Sequence, residues 1–367
     1  MLKRTTCCAA CLCLSLGFFT EAGLGQAETA SEDEIVDSIR RLSTISPNDQ
    51  QRIADWVRAK LDKLVAIPEQ NRPGEFARYR GIFREQFEHS NNSGQFRLQL
   101  AAQTASVAAA EYAESDPDPT VTHVLAQAMV DMDRPETVPG LVAGLKSTSA
   151  VARLLCASGL AAQRDAVAED NQMLNDTVKA LREAGVAETQ PVVLSRIYHA
   201  LAYANQVGAV FDAYMELLDK RLEHRRGPAV KADGAEIQAY EFFRRRGVLA
   251  SLNADQKAQL ARRLAVLLRL DAERYNDDDL APPQDQTVAD VDFDERDRIE
   301  RMLAGNEAIL SALVGGAKEE ITDALKAGGH ARRAEILAHA YKWVGHPETK
   351  ERGTLNGAPW NVDVGAP

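Results

Sequence analysis

Past residue 30, apolar positions recur every three or four residues, and Gly, Pro and Asn break the pattern at intervals. Ile35, Ile39 and Leu42 form the first stripe, behind Ser31 as an N-cap candidate and the acidic residues Glu32, Asp33 and Glu34. Ser46-Pro47 restarts the chain as cap and first helical residue, leading into Ile53, Trp56, Val57, Leu61 and Leu64. Pro73-Gly74 opens a segment whose Phe76, Tyr79, Phe83 and Phe87 read as the core face of a helix. The Ala-rich stretch 95–113 favours helix by intrinsic propensity, and Asp116-Pro117-Asp118-Pro119 ends it. Clusters such as Val192-Val193 are too short to make strands against their flanks, so the pattern predicts an all-α chain.

From about residue 120 the organisation becomes more specific. A helix over 121–132 precedes an apolar stretch with Pro139, Leu141 and Leu145. A polar turn at 146–149 leads to a second stretch with Val151, Arg153, Cys156, Ala157 and Leu160. A weaker copy runs through Leu174, Val178, Leu181, Pro191, Val192, Ile197, Ala200 and Leu201. Further helices are expected at 211–223, 235–246 and 255–274, then at 295–314, 316–327 and 329–344.

The 120–225 segment resembles a HEAT repeat, whose first helix often carries a proline and ends in leucines and whose second begins near an arginine. The spacing fits two-helix repeats, with Leu145 and Leu181 about 36 residues apart. The second copy departs from the pattern, since Gln190 stands in the region of the arginine. The resemblance implies antiparallel helix pairs forming a short HEAT-like α-solenoid or an irregular helical array. It also implies interaction before catalysis, with a protein or peptide partner. On this reading Pro139, Arg153 and Cys156 are architectural, and Arg153 ties one turn to an acidic group in the next.

The ends add a destination. Lys3 and Arg4 precede an apolar run of about a dozen residues, too short to span a hydrocarbon core that needs about 20. Gly25-Gln26-Ala27 offers small side chains where a leader peptidase reads, so 1–27 is expected to be a signal peptide. That predicts an exported protein, periplasmic or extracellular, without a stable transmembrane segment after cleavage. Lipid attachment at Cys11 and an uncleaved anchor are the alternatives. Of five cysteines, Cys7, Cys8, Cys11 and Cys13 would leave with the leader, and Cys156 alone cannot form an internal disulfide. The same cleavage takes the net charge from −11 to −12, a balance that excludes a concentrated basic surface for nucleic acid. The short clusters His224-Arg225-Arg226 and Arg244-Arg245-Arg246 read as solvated helix ends that offset the helix dipole.

Candidate chemistry is sparse. Asp290, Asp292 and Asp294 open like a calcium loop, but Glu295 takes the glycine position and Arg301 the position of the bidentate glutamate. His330, His339 and His346 are spaced nine and seven apart and make no paired-ligand motif. His199 reads as a hydrogen-bonded core histidine and Cys156 as a small buried hydrophobe. Asn91-Asn92-Ser93 fits a glycosylation acceptor, and Gly315-Gly316 lacks the rest of a phosphate loop. Pairs such as Glu216 with Asp219 or Glu319 with Asp323 are what any acidic helical chain supplies. No catalytic, cofactor-binding or metal residue is therefore assigned, and no cofactor is expected.

The expected organisation is a signal peptide at 1–27, an N-terminal helical region at 28–115 and a HEAT-like region at 116–275. An acidic linker or loop at 276–294, C-terminal helices at 295–346 and an extended tail at 347–367 complete it. The expected function is an exported scaffold or protein/peptide-binding module. An exported all-α hydrolase or lyase using clustered acids and an oligomeric envelope protein are the competing readings.

Overall fold

A computed structural model describes residues 32–225, 232–277, 280 and 293–362. The expected leader and most of the acidic interval, including Asp290 and Asp292, lie outside them. Among the described residues all regular structure is helical, and no helix is long and apolar enough to cross a membrane.

The N-terminal half carries α1 (Glu32–Ile39), α2 (Pro47–Val65), α3 (Arg72–Glu88), α4 (Gly94–Tyr112), α5 (Pro119–Met132), α6 (Val138–Gly144), α7 (Ala150–Ala162) and α8 (Arg164–Glu169). Four of these helices start where a side chain accepts free amides of the first turn. Ser46 and Asp49 form a capping box on α2, and Ser93, Asp118 and Ser149 cap α4, α5 and α7. The expected restart at Ser46-Pro47 is therefore found. The aromatic stripe also packs as a core face, with Tyr79 and Phe83 buried and Trp56 edge-on to Phe83. By contrast α1 stops at Ile39, short of Leu42, which is left 40 % exposed.

The C-terminal half carries α9 (Asn171–Ala187), α10 (Pro191–Ala200), α11 (Val207–Arg225), α12 (Ile237–Phe243), α13 (Val248–Ser251), α14 (Ala254–Tyr275), α15 (Phe293–Leu313), α16 (Glu320–Gly328) and α17 (Arg333–Val344). The single helix expected at 235–246 is shorter, and Gly247 at φ +89° separates α12 from α13. Gly315 and Gly316 adopt φ near +90° between α15 and α16, a region that favours glycine, so α16 starts later than expected. Its amides are capped from α15, by the buried Glu307 carboxylate that accepts from Ile321 N at 2.8 Å and Thr322 N at 2.7 Å. The tail is pinned to the body: the Trp360 carbonyl accepts from Arg262 Nε at 3.1 Å, and Leu355 and Val362 are buried.

Most helices contact a helix two or three places further along the chain. α2, α4, α6, α9, α11, α14 and α17 touch in succession, and so do α3, α5, α7, α10, α12, α15 and α16. The two successions meet through pairs such as α2 with α3, α4 with α5, α6 with α7, α9 with α10 and α14 with α15. One connected apolar core results, reaching from Val36 to Val362. Such contacts are found on both sides of the 120–225 segment as well as within it. α6 lies close against α4: a methyl group added to Gly140 would lie 2.8 Å from Ala105 Cα.

Arginines tie the turns together. Arg153 reaches back to the carbonyls of Ser147 and Thr148 at 2.9 and 3.1 Å and across to Glu188 in the α9–α10 turn, with Nε–Oε2 2.7 Å and Nη2–Oε1 3.0 Å. Arg72 uses the same device two helix pairs earlier. It bonds the Val65 and Ile67 carbonyls and pairs with Asp118, the cap of α5. Burial opposes ionisation of Glu188, but Arg153 and the Gln190 and Thr189 amides outweigh it and hold the carboxyl below its ordinary 4.5. The link is thus fully present above that value and is lost as the pH falls through the depressed one. Arg153→Ala leaves a carboxylate that is 1 % exposed without its cation, and chemical denaturation at pH 7 is expected to show a loss of about 2 kcal/mol.

Candidate functional site

Two groups of polar side chains stand apart from ordinary helix surfaces. The first is buried between α11, α12 and α14. Arg221 Nε bonds Glu236 Oε1 at 2.6 Å and Nη2 bonds Asp233 Oδ1 at 2.8 Å, while Arg225 Nη2 bonds Asp271 Oδ1 at 2.5 Å. Glu236 and Asp271 are both 0 % exposed. Burial pushes the Asp271 carboxyl up to about 6, and the attraction of Arg225 offsets only part of that. The hydroxyls of Tyr198 and Tyr240 and the second oxygens of Glu236 and Asp271 are buried without hydrogen-bond partners.

This network corrects one expectation. Arg225 is not a solvated helix end; it is buried, and it spends its charge on Asp271. A cluster of shielded acids is also what the hydrolase reading asks for. Here each of these carboxylates is committed to an arginine, and Glu236 and Asp271 are sealed in the core, an arrangement that serves to fix α11, α12 and α14 to one another.

The second group lines a cavity of about 290 Å³ where the α7–α8, α10–α11 and α12–α13 connections converge. Arg164 opens α8 and is held by three backbone carbonyls: Nε donates to Ala161 O at 3.0 Å, and Nη1 to His199 O at 3.2 Å and Ala202 O at 3.1 Å. Arg245 Nη1 donates to the same Ala202 oxygen at 3.3 Å. One carbonyl thus bridges two guanidinium groups, and neither forms an ion pair among the described residues. Burial, then the charge of Arg245, lowers the pKa of Arg164. Tyr203 lines the same cavity, is 4 % exposed, and its hydroxyl has no hydrogen-bond partner. Alanines at 161, 162, 168, 202 and 204 keep the space open.

The residues singled out by sequence fall elsewhere. Cys156 is fully buried beside Tyr112, and burial pushes its thiol up to about 12, which rules out a thiolate nucleophile at neutral pH. His199 Nδ1 lies 3.0 Å from Gln238 Oε1. Burial and then the surrounding arginines outweigh that bond and lower its pKa, so the ring is neutral at pH 7. The C-terminal histidines diverge: His330 meets the Tyr275 ring edge, His339 faces Glu320 and Glu335, and His346 lies against Tyr341. Asp219 pairs with Arg263 and Glu216 with Arg182, so those two acids do not work together. Asp323 pairs with Lys318. Glu295 and Arg301 sit on α15, and Glu295 is bonded to Arg274 and the Ala232 amide. No group of three or more His, Cys, Asp or Glu among the described residues is placed to hold a metal ion.

What this geometry defines is an all-α protein of packed helices. No protein-family model, curated protein or solved structure matches the chain.

Proposed function

We propose that the chain is an exported helical-repeat interaction protein, whose helix pairs stack as a short HEAT-like α-solenoid and present side chains to a protein or peptide partner. The observation that carries this reading is the double succession of helix contacts from α2 to α17. A helix pair cannot cover its own apolar stripe, so each depends on the next, and turns of successive pairs come to lie along common edges. The Arg72–Asp118 and Arg153–Glu188 links repeat along one such edge. Recognition falls to side chains because a helical backbone is already hydrogen-bonded internally. Export rests on the charge-then-apolar order of the first 27 residues.

Expression of the full chain with a photoreactive residue at exposed Asn205, on the cavity rim, tests both parts. The exported fraction is expected to begin at Glu28 and to give one discrete crosslinked species that excess unlabelled protein competes away. An uncleaved cytoplasmic chain would contradict the export proposal. An equal crosslinking yield from exposed Glu88 on α3 would contradict a defined binding surface.

A further inference from the structure

The geometry assigns the Arg164–Arg245 cavity as a binding site for a carboxylate group. This names the chemistry that the proposed interaction surface recognises, and so rests on that reading. The chain carries a net charge of −11, yet two guanidinium groups share a single carbonyl oxygen here with no carboxylate between them. Placing like charges side by side at a partly buried position is unfavourable unless an anion joins them. Three backbone carbonyls fix Arg164 in advance, so little ordering remains to be done on binding.

The unused donors suit the ligand. Arg164 Nη2 and Arg245 Nε and Nη2 make no hydrogen bond to the described residues. Planar guanidinium edges match the two oxygens of a carboxylate. Tyr203, Asn205 and Gln206 belong to the same lining.

Charge and size narrow the choice of anion. Asp165 also lines the cavity and offsets one of the two arginines, leaving a single net positive charge. A monoanion balances it, whereas a phosphate dianion meets Asp165 as a like charge. About 290 Å³ bordered by alanines admits the end of a peptide or one acidic side chain and little more. A chain terminus and an Asp or Glu side chain are the two sources of the group.

Arginine Nε NMR signals of the full exported protein, titrated with four probes, test the assignment. The probes are acetyl-trialanine with a free carboxylate, its C-terminal amide, acetyl-aspartyl amide and inorganic phosphate. Saturable shifts at Arg164 and Arg245 are expected with the free-acid peptide, the aspartyl probe or both, and this comparison identifies the source. Because Arg164 also ties the α7–α8 and α10–α11 connections together, the variant of choice is the exposed Arg245→Gln, expected to weaken carboxylate binding by about tenfold. Three outcomes overturn the assignment: no saturable shift with either carboxylate, equal binding of the amide, or affinity unchanged in Arg245→Gln. Tighter binding of phosphate than of both carboxylates overturns it as well. The titration reads the cavity alone, so its failure leaves the crosslinking result standing.

Discussion

Arg221→Ala is expected to lower the unfolding free energy by about 3–5 kcal/mol, read from denaturant titration with circular dichroism at pH 7. The guanidinium answers two carboxylates at once, and one of them, Glu236, is wholly buried. Its loss leaves that carboxylate in the core beside Asp271 with no cation of its own. The cost is then set by the stranded charge rather than by the bond removed. Arg221→Met with Glu236→Leu removes both charges, and this double variant is expected to recover most of the loss. A single variant within about 0.5 kcal/mol of the parent would show that the network is not what holds α11 to α12.

Gly140→Val is expected to cost at least about 3 kcal/mol by the same measurement. A side chain at this position meets the Ala105 backbone on α4 as well as Met129 on α5. Backbone inside a packed helix cannot step aside as a flexible side chain can, so α6 must move away from α4. A variant as stable as the parent would mean that the two helices are not in this close contact.

Local signals made much of the fold legible. Ser46-Pro47 marked a helix start because a cap and its helix are adjacent in sequence, whereas Ser93, Asp118 and Ser149, read as an acceptor, a break and a turn, were recognised as caps only in the structure. The Phe76-to-Phe87 stripe showed its core face for the same reason. That Arg153 ties its turn to an acidic group in the next was implied by the HEAT resemblance, but Glu188 as the partner was not. What stayed hidden depends on pairing across distance. The cap of α16 comes from Glu307, on another helix. Arg225 looked like a solvated helix end because Asp271 is far along the chain. The cavity was invisible for that reason too: Arg164, Tyr203 and Arg245 belong to three different connections. The one available hint was a charged residue at 164 directly after the apolar run of α7.

The central claim, that helix pairs stack in a line and each depends chiefly on its neighbours, has a direct test in amide hydrogen exchange of Gly140→Val against the parent. A stacked array predicts faster exchange in α4 to α7 and unchanged protection in α14, α15 and α17. Uniform loss of protection across the whole chain would contradict it, and would define a single globular bundle instead.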